Sequence, residues 1–149
     1  MNLFFDTSAL VKFFHEEEGT QAVTTLITQE NNIWISELVR IEFTSALFRR
    51  FRNNDINDTQ LNDAITGFKE EISFFNIEPL WHVIIKEAES LLEKYGKIQG
   101  LRTLDALHLG SFNLIAENDW FFVAADENLC KVTQLMGFQS INPLKFHDK

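Results

Sequence analysis

A chain of 149 residues with an apolar share of 45% can bury a core of ordinary size, and the expectation is one domain over 1–149 with a short polar tail from about 143. Six Gly and two Pro argue against a disordered or linker-rich design, and a single cysteine, Cys130, excludes an intramolecular disulfide. A net charge of −9 speaks against a broad basic footprint for nucleic acid; it suits a protein that gathers carboxylates around a metal or docks a basic partner.

Fifteen Phe predict an aromatic-rich core. The first residues carry no basic region ahead of an apolar run, so no signal peptide is expected. No apolar stretch is long enough to span a bilayer. The expected location is the cytoplasm. A local basic strip can coexist with an acidic whole, and Arg40, Arg49, Arg50 and Arg52 are its best candidates, with a solvated helix face as the plainer alternative.

Taken in order, Leu3, Phe4 and Phe5 read as a buried strand that runs straight into Asp6. Thr7 and Ser8 are good helix-initiating residues, and an apolar pattern then begins at Ala9. Glu16, Glu17 and Glu18 read as solvated surface, and a short helix is expected over 20–29. Ile33, Trp34 and Ile35 predict a second brief strand. Ser36 is a plausible N-cap for a long helix from 37 to about 52. In it Leu38, Ile41, Ser45 and Phe48 form one apolar line, with Val39, Phe43, Ala46 and Leu47 close by. Glu42 lies among them, either buried with a partner or at the stripe's edge reaching water or an arginine.

A further helix opens at Asn57-Asp58, and 77–80 reads as an edge strand because of Pro79. The next helix, 83–95, is expected to stop at Gly96, with a loop over 97–100. Asp105 falls in the first turn of a helix after Thr103, where the helix dipole alone would favour an acid. A strongly apolar strand, 120–124, ends at Ala125-Asp126, and a helical pattern follows to Gly137. Asp126 thus repeats the arrangement of Asp6, with a plain N-cap as its alternative. Ser140 and Ile141 end the series as a last small strand. The alternation of strands and helices predicts a parallel sheet covered on both faces.

Asp6, Glu42, Asp105 and Asp126 can converge on one sheet rim if strands 3–5 and 121–124 are neighbours. Several carboxylates cannot share a small volume without a counter-charge. A hard divalent cation, Mg²⁺ or Mn²⁺, is the natural solution, and such a site suits phosphodiester hydrolysis. There is no His/Cys cluster for zinc, no glycine-rich phosphate loop and no serine-hydrolase elbow.

The stretches 6–12, Glu42 in its helix, Leu101-Arg102-Thr103-Leu104-Asp105-Ala106-Leu107-His108-Leu109 and 122–129 together resemble the PIN domain family, in family order and over nearly the whole chain. Among single-domain members of this size, the resemblance is to VapC toxins. It implies a three-layer α/β/α sandwich with a mainly parallel central sheet of four to five strands. It implies a metal-dependent ribonuclease acting on RNA, a homodimer, and a cognate antitoxin. An RNA-processing nuclease without an antitoxin, or a binding module with weak or no cleavage, are the alternatives. Asp6, Glu42, Asp105 and Asp126 match the family's acidic quartet, with Asp6 and Asp105 as chief metal ligands and the other two completing the site or binding through water. Ser8 matches a small hydroxyl residue beside the first acid, and His108 a position read as a structural hydrogen-bonding residue. Arg102 and Lys12 are candidates for the substrate path. Where the family often has Ser or Thr two residues before its last Asp, this chain has Ala124, so a hydroxyl that would steady a water or a carboxylate is missing.

Overall fold

The computed structural model describes residues 1–29 and 31–146. Five parallel strands form one sheet: β1 (Asn2–Phe5), β2 (Asn32–Ser36), β3 (Asn76–Glu78), β4 (Phe121–Val123) and β5 (Gln139–Ile141), in the order β3-β2-β1-β4-β5. Among the described residues seven α-helices connect them, besides a 3-10 turn at Ile72–Phe74: α1 (Thr7–Phe14), α2 (Thr20–Thr28), α3 (Val39–Arg52), α4 (Asp58–Glu71), α5 (His82–Gln99), α6 (Thr103–Ile115) and α7 (Glu127–Leu135). The chain winds outward from β1 to β3, then returns past β1 to β4. The strand order therefore reverses between β1 and β4, where Leu3, Phe4 and Phe5 pair with Phe121, Phe122 and Val123. Such a reversal opens a crevice at the carboxyl ends of the strands.

The pleat sorts the core into two layers, because successive strand side chains point to opposite faces. Leu3, Phe5, Ile33, Ile35 and Val123 pack with α1 to α4. Phe4, Trp34 and Phe122 pack with α5, α6 and α7. This is the three-layer sandwich expected. Each layer has an aromatic centre. Phe43 stacks on Phe68 at 4.1 Å with Phe14 edge-on to both, and Phe4, Phe112 and Phe122 meet within 5.2–5.8 Å. Fully burying one such ring stabilises the fold by roughly 1.5–3 kcal/mol. Cys130 is buried, its thiol pushed up by burial, and packs as a structural residue.

Three local expectations are corrected. Ser36 is the last residue of β2, not an N-cap; its Oγ accepts from the Leu38 N–H at 3.1 Å, and the helix begins at Val39. Gly96 does not stop α5. The helix runs on to Gln99, and Gly100, with φ of +69°, ends it in the left-handed conformation a glycine takes most readily. On α3 the line Val39, Phe43 and Leu47 is buried, while Ile41 and Phe48 are exposed. Both lines are apolar, so periodicity could not choose between them; the stacking of Phe43 on Phe68 does. Of the polar tail, 143–146 is described, and Phe146 packs against the core; 147–149 lies outside the described residues. Among the described residues no helix is long and apolar enough to cross a membrane.

Candidate active site

Asp6 is the residue on which β1 becomes α1. Its N–H continues the sheet by donating to the Val123 carbonyl at 3.0 Å, and its side chain caps α1 by accepting from the Ala9 N–H at 3.1 Å. Ser8 adds a forked bond, its Oγ lying 2.7 and 2.9 Å from the two carboxylate oxygens. The same Ser8 Oγ accepts from the Ala125 N–H at 3.1 Å, which ties the end of β4 to the end of β1. Burial pushes the Asp6 carboxyl up to about 6; His108, the Ser8 bond and the Ala9 bond oppose that, and Asp105 adds to it.

Glu42 projects from the first turn of α3 to the same place and is half-buried. His108 Nε2 on α6 donates to its Oε1, and Thr7 Oγ1 donates to the same oxygen at 3.0 Å. Burial pushes Glu42 up, but these two bonds outweigh it and leave the carboxyl below its ordinary value. The cost of an inward carboxylate is thus met by partners from two other helices. His108 is buried and holds Glu42, in keeping with the structural hydrogen-bonding role read from the sequence.

Asp105 occupies the first turn of α6, where burial raises it, Arg102 lowers it and Asp126 raises it again, for a net rise. Arg102 Nε donates to Asp105 at 3.3 Å, and its Nη2 stands 3.8 Å from Asp126. Asp126 also caps α7, accepting from the Leu129 N–H at 2.9 Å.

Asp6, Glu42 and Asp105 share the walls of one cleft of about 600 Å³ with His108, Arg49 and Arg102; Asp126 is not on its lining and joins the group through Arg102 and through its charge on Asp105. Ala124 is fully buried in the α5–α7 layer and is not among the residues that line the cleft. Lys12 was a substrate-path candidate, but it is buried and paired with Glu17 at 3.0 Å. Arg50 is forked onto the same Glu17 at 3.1 and 3.2 Å. Glu17, read from sequence as solvated surface, is therefore a partly buried hub. Lys12 is five positions away, but the Arg50 half of the hub was not signalled locally, because that contact is 33 positions away along the chain.

Among the described residues no three His, Cys, Asp or Glu side chains form a ready-made metal cage. The donors that do face the cleft are hard oxygens, and burial has raised both Asp6 and Asp105. That set fits Mg²⁺ or Mn²⁺, which accept one or two carboxylates and fill the remaining positions with water and substrate oxygens.

The comparisons agree with this architecture. A family model, PIN domain, matches residues 3–135. FitAcB from Neisseria gonorrhoeae is similar at a TM-score of 0.69 and 13% identity, over 97% of this chain and 99% of that one. VapC20 from Mycobacterium tuberculosis, described as a sarcin–ricin loop cleaving toxin, is similar at 0.70 and 15%, over 95% and 99%. A toxin–antitoxin complex from Klebsiella pneumoniae is similar at 0.63 and 15%, over 97% and 99%. No curated protein matches the sequence. At such identities the solved structures speak for the fold alone, and the family match over most of the chain carries the assignment: this protein belongs to the PIN domain family.

Proposed function

We propose that this protein is an endoribonuclease dependent on Mg²⁺ or Mn²⁺, and the toxin of a toxin–antitoxin pair. The observation that carries the reading is the pair Asp6 and Asp105, two carboxyls raised by burial and facing one cleft at the sheet reversal of a PIN domain. Asp6 and Asp105 would hold the cation; Glu42 and Asp126 complete the site or bind through water. When bound, the cation supplies a hydroxide nucleophile and stabilises charge on the leaving oxygen.

The chain's own residues do the rest. Ser8 fixes the orientation of Asp6, and Thr7 and His108 hold Glu42 by one oxygen. RNA is the substrate. The protein works in the cytoplasm as a homodimer held in check by a cognate antitoxin, and the similarity to the Klebsiella pneumoniae toxin–antitoxin complex supports that partnership.

The test is cleavage of total RNA with and without Mg²⁺, beside growth arrest on expression. Asp6→Asn should lower cleavage by about 100-fold or more, the scale of losing an activated nucleophile or its charge stabilisation. An Asp6→Asn protein as active as the parent sinks the reading. A second reading, a PIN-fold binding module that does not cleave, is favoured by one observation: the acids form no three-membered cage. It predicts no thermal stabilisation by Mg²⁺ and no cleavage, whereas a cation at 100 times its Kd should stabilise by about 2.7 kcal/mol.

A further inference from the structure

Arg102 touches the acids most directly of all the cations around the cleft. It stands at the N-cap position of α6 in extended backbone, makes no capping bond there, and leaves its side chain free to reach Asp105 and Asp126. Lys12 and Arg50 are committed to Glu17. Arg49 lines the cleft but is in no ion pair among the described residues.

We propose that Arg102 is an internal stand-in for the cation, which yields Asp105 when a divalent ion binds and then turns its guanidinium to a phosphate of the RNA. The inference rests on the function proposed above. Its physical basis is a contrast in grip. The Arg102 side chain is 76% exposed, its hydrogen bond to Asp105 is long at 3.3 Å, and Asp126 lies 3.8 Å away as a charge contact only. Exposed pairs of this kind are weak and readily exchanged. A dication offers two carboxylates twice the charge in a compact volume and displaces the arginine without breaking any packed contact. The freed guanidinium stays on the cleft wall, because Arg102 is itself a lining residue. Its planar fork matches a phosphate as well as it matches a carboxylate, which an ammonium does not. One side chain would thus screen the acids before the cation arrives and contact substrate afterwards.

The test separates the two halves. Thermal titration with Mn²⁺ alone, without RNA, should give Arg102→Gln a half-saturating concentration roughly two- to fivefold below the parent's, with Arg102→Lys close to the parent. Arg49→Gln, which removes a cleft charge that touches no acid, should move it less. Steady-state cleavage by Arg102→Gln should then show a KM raised roughly fivefold with a much smaller change in kcat.

If the parent responds to Mn²⁺ while Arg102→Gln binds no more tightly, or no more than Arg49→Gln does, the stand-in role is wrong and the nuclease reading stands. An unchanged KM with a collapsed kcat removes the phosphate contact. A parent that gives no Mn²⁺ response at all overturns this inference together with the cation-dependent reading beneath it.

Discussion

Asp6 is asked to be a helix cap and a buried carboxylate at once, and pH sets those demands against each other. Its carboxyl rises from 3.8 to about 6 because burial disfavours the charge. A carboxyl raised on folding favours the folded state while it is protonated. That contribution is fully present below the unfolded value near 4 and is lost as the pH climbs through about 6. The amount is about 3 kcal/mol. Asp105 is also raised, so it acts in the same direction. The metal-free protein should therefore lose several degrees of Tm between pH 5 and pH 8. Asp6→Asn keeps an oxygen to cap α1 and should remove most of that loss, ending more stable than the parent at pH 8; parallel Tm curves for the two proteins would contradict it. The positions of Asp6 and Asp126 were legible in the sequence because a strand, an acid and a helix start leave a local signature, and that of Asp105 because it falls in the first turn of a helix after Thr103. The grip of Thr7 and His108 on Glu42 was not, since those partners lie 35 and 66 positions away.

Among the elements, α5 and α6 pack against each other closely where Gly110 faces the α5 backbone. A Cβ there would meet the Ala88 nitrogen and the Ile84 carbonyl oxygen at 3.3 Å, both of them backbone. Gly110→Ala should cost about 1 kcal/mol, since the gain in helix propensity falls short of the strain in a packed contact. Gly96 is the counter-case. It sits inside α5 with nothing nearer than 3.8 Å, so Gly96→Ala should stabilise by up to about 1 kcal/mol. Urea midpoints at unchanged m-value will read both shifts, and shifts of the same sign would refute the distinction. Element order and type were legible from hydrophobic periodicity. The inward face of α3 and the end of α5 were not. They depend on which rings stack across the layer and on which of two glycines takes a positive φ, neither of which is a property of the local sequence.

For the whole molecule, of charge −9, Lys12 and Arg50 are engaged by Glu17, so Arg49 and Arg102 are the cleft-lining cations left for the proposed RNA substrate. If Arg49 and Arg102 are the main phosphate contacts, log K for single-stranded RNA should fall with log salt at a slope of about −1.4. A slope steeper than about −4 would place a basic track elsewhere. The layered parallel sheet was legible from the alternation of strands and helices, whereas the reversal between β1 and β4 came only from the paired register. That reversal has a consequence for biosynthesis. Ser8 and Ala125, whose bond joins the two central strand ends, are separated by 117 positions. A ribosome emits β1 long before β4 exists, so the growing polypeptide holds Asp6 without a finished rim around it until β4 has followed and paired.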